Sequence, residues 1–215
     1  MHRRDAGPPV EGLLDRVRAV VPLIAERAFE AEQRRKPDDE VIEALKSTGV
    51  FRALVPEPFG GYEIDLDLFV DVGLAVSEAC PSTGWVTTFY MEHNWLLQTF
   101  SPELQDQVFT RQPFVLAPGL VNPKEATATP KGDGYELSGH WNFGTGIVHA
   151  DWVLLSARVT TEPDAAPIGL AQSPARGALR GPAVAWLKRW VTPRPVVLIE
   201  IAGAPARRRR GRSTS

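Results

Sequence analysis

The sequence predicts an α+β fold: an all-helical N-terminal unit over about residues 10–111, followed by an incomplete antiparallel β-domain over 112–167. Three observations predict it. Apolar residues recur at helical spacing from Val10 to about residue 110, and the period changes to that of strands at Pro113. The stretch from Lys131 to Arg158 then reads as strand, glycine-rich corner, strand. At 215 residues with 43% hydrophobic and 23% charged residues, the chain has ample material for a core.

In order, residues 1–9 are polar, end in Gly7-Pro8-Pro9 and are expected to be disordered. Leu13, Leu14, Val17, Val20, Val21, Ile24 and Ala28 predict one amphipathic helix reaching about Gln33. Asp38 or Asp39 caps a second helix, which Gly49 stops. Val55 to Gly61 holds two prolines and a Gly-Gly and must be a loop. Asp65 or Asp67 opens a third helix to Ala79, and a fourth runs from about Thr83 to Phe100. Ser101-Pro102 caps a short fifth helix ending at Phe109. Phe114 to Ala117 and Thr127 to Thr129 read as strands, Tyr135 to Trp141 as a half-buried strand, and Trp152 to Ala157 as a buried one.

Composition excludes several classes. No apolar run approaches the roughly 20 residues of a membrane span, and no secretory apolar region follows the charged start. A single cysteine, Cys80, excludes an internal disulfide framework and fits a reducing cytosol. No Cys/His cluster has zinc-ligand spacing, and no Walker or dinucleotide glycine fingerprint is present.

Two motif sets carry the functional reading. Gly139 to Trp141, Thr145-Gly146 and Ala150 to Leu154 form the strand–corner–strand; Gly49-Val50-Phe51 and Pro56 to Gly61 form the loop set. Both resemble the acyl-CoA dehydrogenase superfamily of flavoproteins. The corner, Trp141-Asn142-Phe143-Gly144-Thr145-Gly146, is closest to the flavin-dependent aromatic hydroxylases that share the fold. Ala117-Pro118-Gly119 to Pro123 stands where the dehydrogenases carry an acidic Thr-Glu-Pro motif, which is missing here.

That resemblance, over about residues 12–160, implies the oxygenase component of a two-component monooxygenase. Such an enzyme uses reduced FMN or FAD from a separate flavin reductase, with O2. It hydroxylates an aromatic or polyketide-like substrate through a C4a-hydroperoxyflavin. Gly119, Trp141, Phe143, Thr145 and Gly146 would contact the flavin, the Thr145 hydroxyl or backbone N–H facing its N5 edge; a turn threonine is the plain alternative. Trp85, Phe89 and His93, at four-residue steps, would border a phenolic substrate, with His93 as its catalytic base. A buried tryptophan and a partnered histidine are the alternative. An acyl-CoA dehydrogenase and a non-catalytic fragment are the rival functions. Intact members add further strands, a C-terminal helical bundle and homo-tetramer contacts, for which this length leaves no room.

Charge is divided unevenly. Residues 1–167 carry 14 Lys/Arg against 25 Asp/Glu, net −11, and residues 168–215 carry 10 basic residues against Glu200 alone, net +9. The Arg-, Pro-, Gly- and Ala-rich tail predicts translation outside the family's reading frame beyond about residue 167, or a truncated gene. A basic tail that meets nucleic acid or acidic lipid through Arg207 to Arg210 is the competing reading.

Overall fold

The apolar period that begins at Val10 is carried by two helices, α1 (Leu13–Arg18) and α2 (Val21–Arg34), rather than by one. The computed structural model describes residues 8–100, 102–120, 125–131, 134–159, 167–169 and 197–200. Pro22 in the first turn of α2 sets the break, since a proline ring clashes with the carbonyl of a continuing helix. Leu13, Val17 and Ile24 are nevertheless all buried. Pro8 and Pro9, expected to be disordered, are held: the Tyr62 hydroxyl donates to the Pro8 carbonyl and Arg16 Nη2 to the Pro9 carbonyl, each at 2.5 Å. Residues 1–7 lie outside the described residues.

Capping places the next helices. Asp38 accepts from the Glu40 N–H at 2.9 Å and opens α3 (Asp39–Thr48), which Gly49 closes in the left-handed region. Asp65 accepts from the Leu68 N–H at 2.8 Å and opens α4 (Leu66–Ala79). Between them, Pro56 to Gly61 is a loop holding one 3-10 turn, Glu57–Phe59. Helix α5 (Pro81–Leu96) starts two residues before the expected Thr83, with Pro81 at its first position, and relaxes into a 3-10 turn, Leu97–Thr99. Helix α6 (Pro102–Phe109) follows; the expected cap Ser101 lies outside the described residues. The core these helices share includes Phe51, whose ring lies 5.6 Å from Tyr90 and 5.7 Å from Phe114.

The strands are β1 (Gly119–Leu120), β2 (Glu125–Lys131), β3 (Gly134–His140), β4 (Trp152–Val159), β5 (Pro167–Gly169) and β6 (Val197–Glu200). Pairing is antiparallel for β2–β3, β4–β5 and β4–β6, but parallel for β1–β4 and β2–β4. The sheet is therefore mixed, which corrects the purely antiparallel expectation. Residues 141–151 are long enough to carry the chain past β3's partner, so β4 lands beside β2 pointing the same way. Along β4, Trp152 and Leu154 join the helical core, while Val153, Leu155 and Ala157 pack with Leu137, Ala126 and Ala128 on the other side. Period-two alternation thus joins two cores through one strand.

Phe114 to Ala117, expected as a strand, is extended but belongs to no ladder. Side chains replace its neighbours. Asn94 donates to the Val115 carbonyl at 2.8 Å and accepts its N–H at 3.0 Å. On the opposite edge, the Asp151 carboxylate accepts from the Leu116 N–H at 3.3 Å, and the Asp151 N–H donates to the Leu116 carbonyl at 2.9 Å. The strap is satisfied on both edges, as buried backbone must be. Among the described residues, no helix is long and apolar enough to cross a membrane, and no cluster of His, Cys, Asp or Glu has the makings of a metal site. Cys80 is free and buried. Trp186, Trp190 and the Arg207–Arg210 run lie outside the described residues.

Candidate active site

Four-residue spacing on α5 lines up Trp85, Phe89 and His93. Ring centroids are 4.6 Å apart for Trp85–Phe89 and 5.2 Å for Phe89–His93. This ladder leads inward: Trp85 is 58% exposed and His93 only 7%. His93 Nδ1 lies 2.6 Å from the Ala117 carbonyl. A carbonyl only accepts, so Nδ1 carries the proton and Nε2 presents a lone pair. Burial pulls the His93 pKa below its ordinary value, against the opposing pull of the Ala117 bond, and the ring is neutral at pH 7. Gly119, expected at a flavin, packs on this imidazole: a Cβ there would stand 2.8 Å from Nε2. The glycine lets the strap's continuation pass directly over the ring.

A groove of about 1060 Å³ opens between the end of α2, the start of α5 and the glycine corner. Trp85, Phe143, Thr145 and Gly146 line it, with Phe29 and His149. Phe143 is 95% exposed and adopts φ 59°, a left-handed backbone uncommon for a bulky residue. The Thr145 N–H donates to the Phe143 carbonyl at 2.8 Å. Of the two donors expected from Thr145, the backbone one is thus engaged in the turn. The hydroxyl has no partner among the described residues. Trp141 stands apart from the groove; its Nε1 donates to the Ser156 carbonyl at 2.8 Å and its ring packs on the sheet.

Sequence reasoning missed three contributors. Tyr90, fully buried on α5, donates its hydroxyl to the Gly146 carbonyl. Gly146 has φ 80°, and a Cβ there would stand 2.6 Å from that hydroxyl oxygen, so residue 146 must be glycine on both counts. Asn94, one turn after Tyr90, holds the strap described above. His149 is partly buried and bonds Asp39 through Nε2 at 2.7 Å. Lys36 reaches the same carboxylate at 2.6 Å, and with His149 it holds the Asp39 carboxyl below the usual range. Burial lowers the His149 pKa in spite of Asp39, and its Nδ1 is buried with no partner among the described residues. Only the four-residue step from Tyr90 to Asn94 was visible beforehand, and it resembles any buried helix face.

No family model matches the chain. It is 39% identical over 158 residues to the pigment production hydroxylase of Rhodococcus sp. (strain ATCC 21145), covering 74% of this chain and 40% of that protein. It is 37% identical over 146 residues to the flavin-dependent monooxygenase oxygenase subunit HsaA of Rhodococcus jostii (strain RHA1), covering 68% and 38%. The crystal structure of 3-HSA hydroxylase from Rhodococcus sp. RHA1 superposes with a TM-score of 0.66 at 35% identity, over 73% of this chain and 40% of that one. The chain is a partial member of the flavin-dependent monooxygenase oxygenase family, with its acyl-CoA dehydrogenase-like fold. It spans about 40% of the length of the curated monooxygenases it matches. XiaF from Streptomyces sp., solved with FADH2 and glycerol, superposes with a TM-score of 0.68 at 27% identity, over 87% of this chain and 50% of that one. Of the aromatic ladder, Trp85 lines the groove together with the glycine corner, whereas Phe89, His93 and Gly119 do not.

Proposed function

We propose that this fold hydroxylates an aromatic substrate, using reduced FMN or FAD delivered by a separate reductase, and O2. The observation that carries the proposal is His93: buried, neutral, with Nδ1 committed to Ala117 and Nε2 left as acceptor at the inner end of an aromatic ladder. Nε2 accepts the proton of a phenolic hydroxyl, which raises electron density on the ring carbon to be hydroxylated. Phe89 and Trp85 border that ring.

The corner fits a flat cofactor. Phe143 offers an aromatic face to the groove and the Thr145 hydroxyl is unengaged, while Tyr90 fills the space beside Gly146. A reduced flavin, once bound, supplies the activation of O2. The protein's part is to hold its ring edge at Thr145 and keep it dry. A groove of about 1060 Å³ lies at the upper end of small-molecule sites, roughly 300–1,000 Å³, and Trp85 is the member of the aromatic ladder that lines it.

Anaerobic titration of the purified chain with reduced FMN and FADH2, followed by O2 and a phenol, tests the proposal. Saturable binding and a hydroxylated product are expected, with product lost in His93→Gln. Absence of binding by either reduced flavin would overturn the proposal for this chain.

A further inference from the structure

We propose that Tyr90 is a positioning residue for the cofactor corner, acting through Gly146 to aim the Thr145 hydroxyl into the groove. The inference rests on the flavin reading above and adds a residue to it. Tyr90 is fully buried, its ring set edge-on to Phe51 at 5.6 Å and 84°. Its hydroxyl donates to the Gly146 carbonyl, the residue after Thr145. Burial, helped by the Asp151 charge, raises the phenol pKa far above the ordinary tyrosine range, so the donor keeps its proton throughout the working pH range.

Local structure alone leaves this corner loosely specified. Residues 141–146 belong to no helix or strand, Phe143 is almost fully exposed, and its φ is positive. The Gly146 carbonyl has one local donor, the His149 N–H at 3.1 Å. Tyr90 supplies a second from the rigid helix, and its ring occupies the volume a side chain at 146 would need. One turn of α5 therefore holds both ends of the reaction: Tyr90 sets the corner, and His93, three residues on, sets the proton acceptor.

Removing one hydroxyl tests the assignment. In Tyr90→Phe the aromatic packing and the His149 bond persist, so the fold is retained, as far-UV circular dichroism would show. Affinity for reduced FMN and FADH2, measured by anaerobic absorbance titration of the full chain, is expected to fall about tenfold. Oxidised flavin, which presents N5 without a proton, is expected to respond differently, so the ratio of reduced to oxidised affinity shifts. General loosening would weaken both alike. Thr145→Ala provides the second measurement: if Tyr90 acts through Thr145, the double variant binds no more weakly than Thr145→Ala alone. Wild-type affinity in Tyr90→Phe, an unchanged ratio, or additive losses in the double variant each overturn the inference while the flavin reading stands. A wild-type chain that binds no reduced flavin overturns both.

Discussion

Because Nδ1 of His93 is committed to the Ala117 carbonyl, protonation has to occur at Nε2, in a buried site that disfavours charge. The folded pKa lies below 6.5, while the unfolded chain keeps that ordinary value. As pH falls through about 6.5, the unfolded state takes up a proton that the folded state refuses, so stability declines on the acid side and is intact above it. His149 is depressed for the same first cause, with Asp39, Lys36 and Lys46 as the charges facing it, and adds a decline of the same sign. The midpoint of urea unfolding is expected to drop between about pH 7.5 and 5.5. His93→Gln should flatten part of that drop; an unaltered slope would show that His93 does not contribute. A stability measurement therefore reports on the protonation state of the group proposed as the base.

At the scale of elements, the strap 114–117 depends on α5 more than on the sheet. Asn94→Ala leaves both the N–H and the carbonyl of Val115 without their side-chain partner. A loss of about 2–4 kcal/mol is expected from two buried groups left unpaired, read from urea denaturation. A loss below about 1 kcal/mol would mean that water or a shifted backbone takes over. The strap also shows where sequence reasoning ends. Its residues have strand character, but the groups that replace its neighbours, Asn94 and Asp151, are distant side chains with no period. The helices were legible because their signals are local: Asp38 and Asp65 as caps, Gly49 as a stop. The split of α1 from α2 escaped because the apolar spacing runs unbroken across Pro22. The ladder Trp85–Phe89–His93 was legible as spacing on one helix face. Tyr90 was not, since its role is defined by Gly146, 56 residues away.

For the whole molecule, the exposed large apolar side chains among the described residues, Trp95 excepted, gather in two places. Leu66, Val70 and Leu74 recur every four residues along α4, and Phe29, Trp85, Phe143 and Val148 surround the groove. Patches of this kind favour association. Light scattering is expected to give a mass that rises with concentration, and Leu66→Glu with Leu74→Glu should suppress the rise; a concentration-independent monomer would contradict this. Strand β4 has a different consequence. Its register partners run from Gly119, upstream, to Glu200, downstream, whereas the six α-helices of the described residues are complete in the chain by Phe109. During synthesis the helical unit can close by local contacts while β4 is still waiting for partners that emerge dozens of residues later. Non-local pairing of this sort is slow. Refolding should therefore show a fast helical phase and a later sheet phase, and the groove, built from both units, comes into being only with the second.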